Sequence, residues 1–320
     1  RINKYRGIYV KKRVVTIVGP TAVGKTDLSI EIAKQFNGEI INGDAMQVYK
    51  GMDIGTAKIK NKEMQGIKHY LLDMFHPNES YTAADFKYYV KKYVNEITKK
   101  SKVPIIVGGS GLYIESALFN FTFTDSKRDP SITKKLESIV KEKGIQPLYD
   151  RLKRIDPKQA EKIHPNNHRR IIRALEVYET TGKPMSLHHE KDKKTPLYNA
   201  IIIGLEMERS LLYKKIDDRC DKMIEEGLLE EVQKLYDLGY ENEPAMKAIG
   251  YKEFIPYIKQ EQSLATSIQL FKRNSRRYAK RQYTWFKNKL DIKWYSITPN
   301  TKYTTFRTIL KDLAGVLGDK

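Results

Sequence analysis

The sequence predicts an α/β protein whose parallel sheet is interrupted by an all-helical insertion and completed by a helical C-terminal region. Three observations predict it. Short, nearly all-apolar β-branched runs at Val14–Val18, Val103–Val107 and Ala200–Leu205 have the character of strands buried on both faces of a parallel sheet. The stretch between about 125 and 196 has no such run, but charged, helix-patterned segments separated by Gly and Pro. From Glu208 onward the pattern is again helical, ending in a long basic stretch at Ser263–Lys289.

The first strand, Val14–Val18, runs into Gly19-Pro20-Thr21-Ala22-Val23-Gly24-Lys25-Thr26, which fits G-x-x-x-x-G-K-[ST], and Leu28, Ile30, Ile32, Ala33 and Phe36 continue as a helix. Strand, Gly-rich loop and helix in that order make a phosphate cradle. Loop N–H groups and the helix N-terminus face the anion, Lys25 adds a point charge, and Thr26 offers a hydroxyl to Mg2+. The core is therefore expected to be P-loop NTPase-like. The loop specifies a polyphosphate or diphosphate, not which one. The helix should end near Asn37-Gly38.

Glu39–Asn42 reads as a second strand, leading into Gly43-Asp44-Ala45-Met46-Gln47. Ligands of open α/β sheets lie beyond the carboxyl ends of strands, so Asp44 shares an edge with the cradle. There it can be a metal ligand, a general base or a turn former. Residues 51–81 read as loop; His69 and His76 have no partner at metal-ligand spacing. A helix over Tyr81–Lys100 precedes the 103–107 strand, which ends in Gly108-Gly109-Ser110-Gly111. An acid at such a position helps hold magnesium in many P-loop hydrolases and kinases; its absence weakens an ATPase reading.

In the insertion, Asn167 is a candidate N-cap for a helix carrying Arg169, Arg170 and Arg173 on one face. Either this is a solvated face or it contacts phosphates. Cys220, the single cysteine, lies on an apolar helical face with Leu212, Ile216 and Met223, which favours packing over reactivity. Between Lys272 and Lys289 there are eight Lys/Arg and no acid, with Tyr278, Tyr283, Trp285 and Phe286 interleaved. This is the strongest nucleic-acid footprint in the chain, against the simpler reading of a basic surface helix. The expected division is a first part of the core at 1–122, the helical insertion at 123–196, and the rest of the core with basic helices at 197–320. The basic stretch 1–13 reads equally as an arm or a frayed terminus, and the His188-His189 pair as part of an exposed polar loop.

A net charge of +20 over 320 residues suits a polyanionic partner. One cysteine excludes an internal disulfide and a Cys-based metal site. With no run of roughly 18 apolar residues and no apolar leader core, the expectation is a cytoplasmic protein without a membrane partner.

Several longer strings resemble the tRNA dimethylallyltransferase (tRNA isopentenyltransferase) family along nearly the whole chain. They are the loop at 19–26, Gly43-Asp44-Ala45-Met46-Gln47-Val48-Tyr49 through Asp53-Ile54-Gly55-Thr56-Ala57-Lys58, Gly66–Asp73, Gly108–Ile114, Arg170–Val177, Ala248–Glu253 and Tyr278–Phe286. The resemblance implies transfer of a dimethylallyl group from dimethylallyl diphosphate to an adenosine amine beside the tRNA anticodon, with Mg2+ and a helical insertion that grips the anticodon arm; a monomer is expected.

It also implies roles. Asp44 would be the general base, with Thr26 and Arg219 acting on the diphosphate held by Gly19, Pro20, Thr21, Ala22, Val23, Gly24 and Lys25. The tRNA would be met by Asp44, Ala45, Met46, Gln47, Ser110, Arg169, Arg170, Ile171, Ile172, Arg173, Lys247, Ala248, Ile249, Gly250, Tyr251, Lys252, Arg277, Lys280 and Arg281. The chain departs from the family at Val23, where Ser is common, at Ala45-Met46, where Ser-Arg is common, and at Thr133, where Arg is common. The loss of hydroxyl at 23 implies weaker donor binding. An adenine-nucleotide prenyltransferase, a P-loop kinase and a non-catalytic RNA-binding module are the alternatives.

Overall fold

The computed structural model describes residues 11–120, 129–189 (backbone only at 188 and 189) and 195–318. Most of the basic start, the expected boundary at 123 and the His188-His189 side chains lie outside the described residues. The chain divides into two compact units: one from the residues up to Leu118 together with those from Pro196 onward, the other Phe119–Thr195.

The first unit is built on one six-stranded sheet, all parallel. Its strands are β1 (Arg13–Val18), β2 (Gly38–Asn42), β3 (His69–Tyr70), β4 (Val103–Val107), β5 (Asn199–Glu206) and β6 (Lys293–Ser296), in the order β3-β2-β4-β1-β5-β6. Val14, Val15, Ile17 and Val18 of β1 are wholly buried because β1 is central, with Val15 opposite both Ile105 and Ile201. Two strands were not expected. β3 is two residues long, too short to show a period of two, and β6 is an edge strand whose residues remain half-buried or exposed.

Helices α1 (Lys25–Gln35), α2 (Asn61–Met64) and α3 (Ala83–Lys99) connect the first four strands, and α4 (Gly111–Leu118) follows β4. Asn37 takes a left-handed φ of 51° just past α1, which stops the helix where expected. Thr82 and Asp85 cap α3 reciprocally.

The second unit consists of α5 (Pro130–Lys143), α6 (Gln146–Ile155), α7 (Pro157–Glu161), α8 (His168–Thr181) and α9 (Met185–His189), with no strand among its described residues. Leu136, Leu148, Leu152, Ile171 and Leu175 form its core. Asp129, Asp156 and Asn167 cap α5, α7 and α8 with their side chains, so each charged segment starts as a helix for a local reason.

After β5 come α10 (Arg209–Glu225), α11 (Leu228–Asp237), α12 (Ile255–Ile258), α13 (Leu264–Lys289) and, past β6, α14 (Lys302–Leu317). α13 packs along α10, with Cys220 against Ser275. Burial pushes the Cys220 thiol up to about 11, as suits a packing residue. No helix among the described residues is long and apolar enough to cross a membrane.

Candidate active site

The loop 19–26 leaves the carboxyl end of β1 and turns directly into α1. Gly24 has φ 112° and no side chain among the described residues caps α1, so the first N–H groups of the helix are left facing the loop's concavity. Gly19 has φ 143°, and a Cβ there would lie 2.5 Å from Leu205 O; only glycine lets the loop leave β1 this close to β5. Lys25 Nζ folds back onto the Gly19 and Pro20 carbonyls at 2.9 and 2.8 Å. Burial and the neighbouring Arg219 bring its pKa down to about 7, with Asp44 opposing them. Lys25, Arg219 and Asp44 are therefore close enough to feel one another's charge. Arg219 on α10 donates from Nη1 to Thr21 Oγ1 at 3.2 Å, and burial lowers its own pKa. Thr26 is exposed and opens onto a cleft of about 1030 Å³, also lined by Arg219, Met223, Ile54, Ala57 and Phe306.

Asp44 follows β2. Its Oδ1 accepts the N–H of Met46 at 2.8 Å and that of Gln47 at 3.4 Å, closing an Asx turn. Oδ2 has no hydrogen-bond partner among the described residues, so the turn fixes the carboxylate and leaves one oxygen for a ligand. Gln47 Nε2 donates to the carbonyls of Thr56 and Ala57 at 3.0 and 3.4 Å. Beside Asp44 stands Tyr278 of α13, pushed up to about 12 by burial and then by the Asp44 charge, and held back by hydrogen bonds to Ser110 and Gln282. Cradle, Asp44, Ser110 and Tyr278 thus meet at the carboxyl ends of β1, β2 and β4.

A family model for IPP transferase matches residues 47–289. The chain belongs to the IPP transferase family. It is 52% identical to a tRNA dimethylallyltransferase of Oceanobacillus iheyensis, over 97% of this chain and 99% of that one, and 50% identical to one of Bacillus pumilus, over 97% and 98%. Among solved structures, a tRNA isopentenylpyrophosphate transferase of Staphylococcus epidermidis matches with TM-score 0.71 and 43% identity, covering 97% of this chain and all of that one. A eukaryotic dimethylallyltransferase acting on tRNA matches with TM-score 0.81 and 33% identity, covering 97% of this chain and 80% of that one.

The other expected site residues differ in their burial. Arg169, Arg170, Lys247, Lys252, Arg277, Lys280 and Arg281 are exposed. Arg276 and Lys272, on the same basic helix, are instead paired with Asp217 and Asp221 of α10, at 2.6 Å each, so part of that charge serves packing. Ile171 and Ile172 point into the core of the second unit, at 0% and 9% exposure, and their side chains are out of reach of RNA. Arg173 pairs with the buried Glu176 at 3.0 Å, which also accepts the Asp129 N–H, so it braces the start of α5. Gly250 and Tyr251 are buried, while Ala248 and Ile249 are half-buried. Val23 is 1% exposed: its side chain packs inward, so the missing hydroxyl is not taken from the concave face of the loop.

Two residues at the strand ends, Tyr278 and Gln282, and one bracing residue, Glu231, were not legible in the sequence. Glu231 of α11 accepts the N–H groups of Asp53, Ile54 and Gly55 at 2.8–3.0 Å and the Tyr251 hydroxyl at 2.6 Å. It joins the strings 53–58 and 248–253, and Gly55 is required because a Cβ would sit 2.6 Å from the Tyr251 ring. Tyr278 and Gln282 were visible only as aromatic and polar residues of a basic helix. The glycines at 109 and 111 are close-approach sites, since a Cβ at 109 would meet Gln282 Nε2 at 2.0 Å and one at 111 the Trp285 ring at 2.3 Å.

Proposed function

We propose that this protein transfers the dimethylallyl group of dimethylallyl diphosphate to the N6 amine of the adenosine 3′-adjacent to the anticodon, position 37 of tRNA, releasing diphosphate. The observation that carries this is the convergence of the phosphate loop, Arg219 and a turn-fixed carboxylate, Asp44, in a chain matched end to end by tRNA dimethylallyltransferases. A kinase reading is disfavoured by β4, the neighbour of β1, which ends in Gly108-Gly109 rather than an acid.

The chemistry follows from the charges. The adenine amine is a weak nucleophile because its lone pair is delocalised into the ring. As its nitrogen bonds to the allylic carbon, the carbon–oxygen bond breaks and its electron pair leaves with the diphosphate. The proton released from nitrogen passes to Asp44, whose Oδ2 is available. Negative charge grows on the leaving group, and the unpaired N–H groups at the start of α1, protonated Lys25 and Arg219 stabilise it more in the transition state than before it. Arg219 suits paired oxygens because its guanidinium binds them two at a time.

Mg2+ fits this site only as a partner of the substrate. Among the described residues no cluster of three His, Cys, Asp or Glu side chains could hold a metal, whereas Thr26 offers one exposed hydroxyl. Magnesium bound mainly through diphosphate oxygens needs no more from the protein, and it would supply charge neutralisation to the leaving group. The target base must leave its stack, which costs little in a single-stranded loop and favours an anticodon loop over a duplex. We assign tRNA contact to Arg169 and Arg170 of the helical insertion, which would grip the anticodon arm, and to Arg277, Lys280 and Arg281 on the exposed side of α13. The protein acts as a monomer in this reading.

The test is incorporation of labelled dimethylallyl diphosphate, with magnesium, into unmodified tRNA, AMP or ATP offered in parallel. Label in tRNA alone is expected. Label in AMP but not tRNA would sink the proposal in favour of a nucleotide prenyltransferase.

A further inference from the structure

Gln282 lies on α13, 5% exposed, one turn beyond Tyr278. Its Oε1 accepts the N–H of Thr21 at 2.9 Å and its Nε2 donates to the Gly109 carbonyl at 3.1 Å. The first bond is to the phosphate loop after β1, the second to the turn after β4 that carries Ser110. A primary amide is the one side-chain group that presents an acceptor and a donor side by side without charge, and here both ends are used on the backbones of two neighbouring strand ends. The fit is tight, because glycine at 109 is what admits the amide. Thr21 is held twice over: its N–H by Gln282 and its hydroxyl by Arg219.

We propose that Gln282 is a positioning residue for the reaction: it fixes the Thr21 segment of the phosphate loop against the Ser110 turn, so that diphosphate and adenine meet at a set spacing. This rests on the prenyl-transfer reading for the identity of the two substrates. α13 then has two working sides. Arg277, Lys280 and Arg281 are exposed, while Tyr278 and Gln282 reach the strand ends. A packing residue that merely filled space would need neither polar end, and burying an amide without partners is costly.

The test uses the full chain with Gln282→Met, which keeps the length and loses both backbone bonds together with the one to Tyr278, and separately Gly109→Ala, which displaces the amide with Gln282 intact. Gly109 has no left-handed φ, so alanine strains only that contact. Binding of inorganic diphosphate with magnesium is read by calorimetry, tRNA affinity by filter binding, and folding by thermal melting. Each variant should weaken diphosphate binding by about tenfold, the worth of one or two neutral hydrogen bonds, and raise KM for the prenyl donor in step, with tRNA affinity unchanged within about twofold. The double variant should be no worse than the worse single one, since both remove the same bridge. Diphosphate affinity unchanged in both variants would overturn the proposal, as would equal losses of diphosphate and tRNA affinity accompanied by a lowered melting temperature. A parent protein that binds diphosphate but prenylates no tRNA would instead refute the function and leave the positioning role standing.

Discussion

Arg219 Nη1 meets Thr21 Oγ1 at 3.2 Å across 198 residues of chain, so the helix after the insertion completes the phosphate loop before it. If that guanidinium binds the leaving diphosphate, Arg219→Ala removes a charge-assisted bond of about 2 kcal/mol, or roughly thirtyfold. KM for the prenyl donor and the inhibition constant of inorganic diphosphate should rise together by that factor. Arg219→Lys should recover little, because an ammonium cannot bind two oxygens in the same plane. Unchanged inhibition by diphosphate would place Arg219 outside the site.

Lys25 carries a pH prediction. Its pKa of about 7 is set by burial and Arg219 in the absence of anion. Diphosphate favours the protonated amine, so binding raises that pKa and takes up a proton when the pH is above about 7. Affinity should therefore fall as pH rises through 7 and be flat below it, apart from the ligand's own titration. Calorimetry in buffers of different ionisation heat measures the uptake, and Lys25→Met should abolish the protein's share of it.

Asp44 is placed as the base by its Asx turn. Asp44→Asn keeps the shape and lowers basicity. The chemical step in single turnover should slow by about 10²–10⁴-fold, while tRNA affinity stays within about threefold. Equal losses in rate and affinity would make Asp44 a binding residue instead.

The exposed side of α13 predicts the salt dependence of tRNA binding. Arg277→Ala with Lys280→Ala should reduce the slope of log K against log salt by about 1.5–2, if each meets one phosphate. Lys272→Ala should leave the slope nearly unchanged, because that amine is paired with Asp221. A slope unaffected by the first pair would mean the helix face is only solvated.

Glu231 predicts a stability effect at a distance from the cradle. Gly55→Ala forces a methyl to 2.6 Å from the Tyr251 ring and should cost about 1–3 kcal/mol by denaturant unfolding. Tyr251→Phe, which leaves the rest of the Glu231 cap intact, should cost about 1 kcal/mol.

These contacts also explain how far the sequence could be read. β1, β2, β4 and β5 were legible from the apolar, β-branched runs at their centres, and the loop 19–26 because its glycines serve local backbone geometry. Asp44 could be placed on the right edge from strand direction alone. The helices of the insertion were legible from their charged, helix-patterned segments between Gly and Pro breaks and from the cap at Asn167, whereas the caps at Asp129 and Asp156 emerged only in the structure. What escaped was set by tertiary contact. Nothing in the periodicity of α13 distinguishes Gln282, which bonds two loops, from Lys280, which faces solvent. Nothing near Glu231 in sequence points to the 53–55 loop. The pairing of Arg173 with Glu176 was adjacent in sequence, yet its structural weight came from Glu176 being buried, which charge spacing does not show.

In the proposed reaction the phosphate loop holds a leaving group rather than a nucleotide. Its most direct measurement is the stoichiometry of phosphorus release during tRNA modification. Magnesium, tRNA and dimethylallyl diphosphate, with no nucleoside triphosphate present, should give one inorganic diphosphate for each prenylated adenosine. Modification that requires ATP, with release of monophosphate, would contradict it.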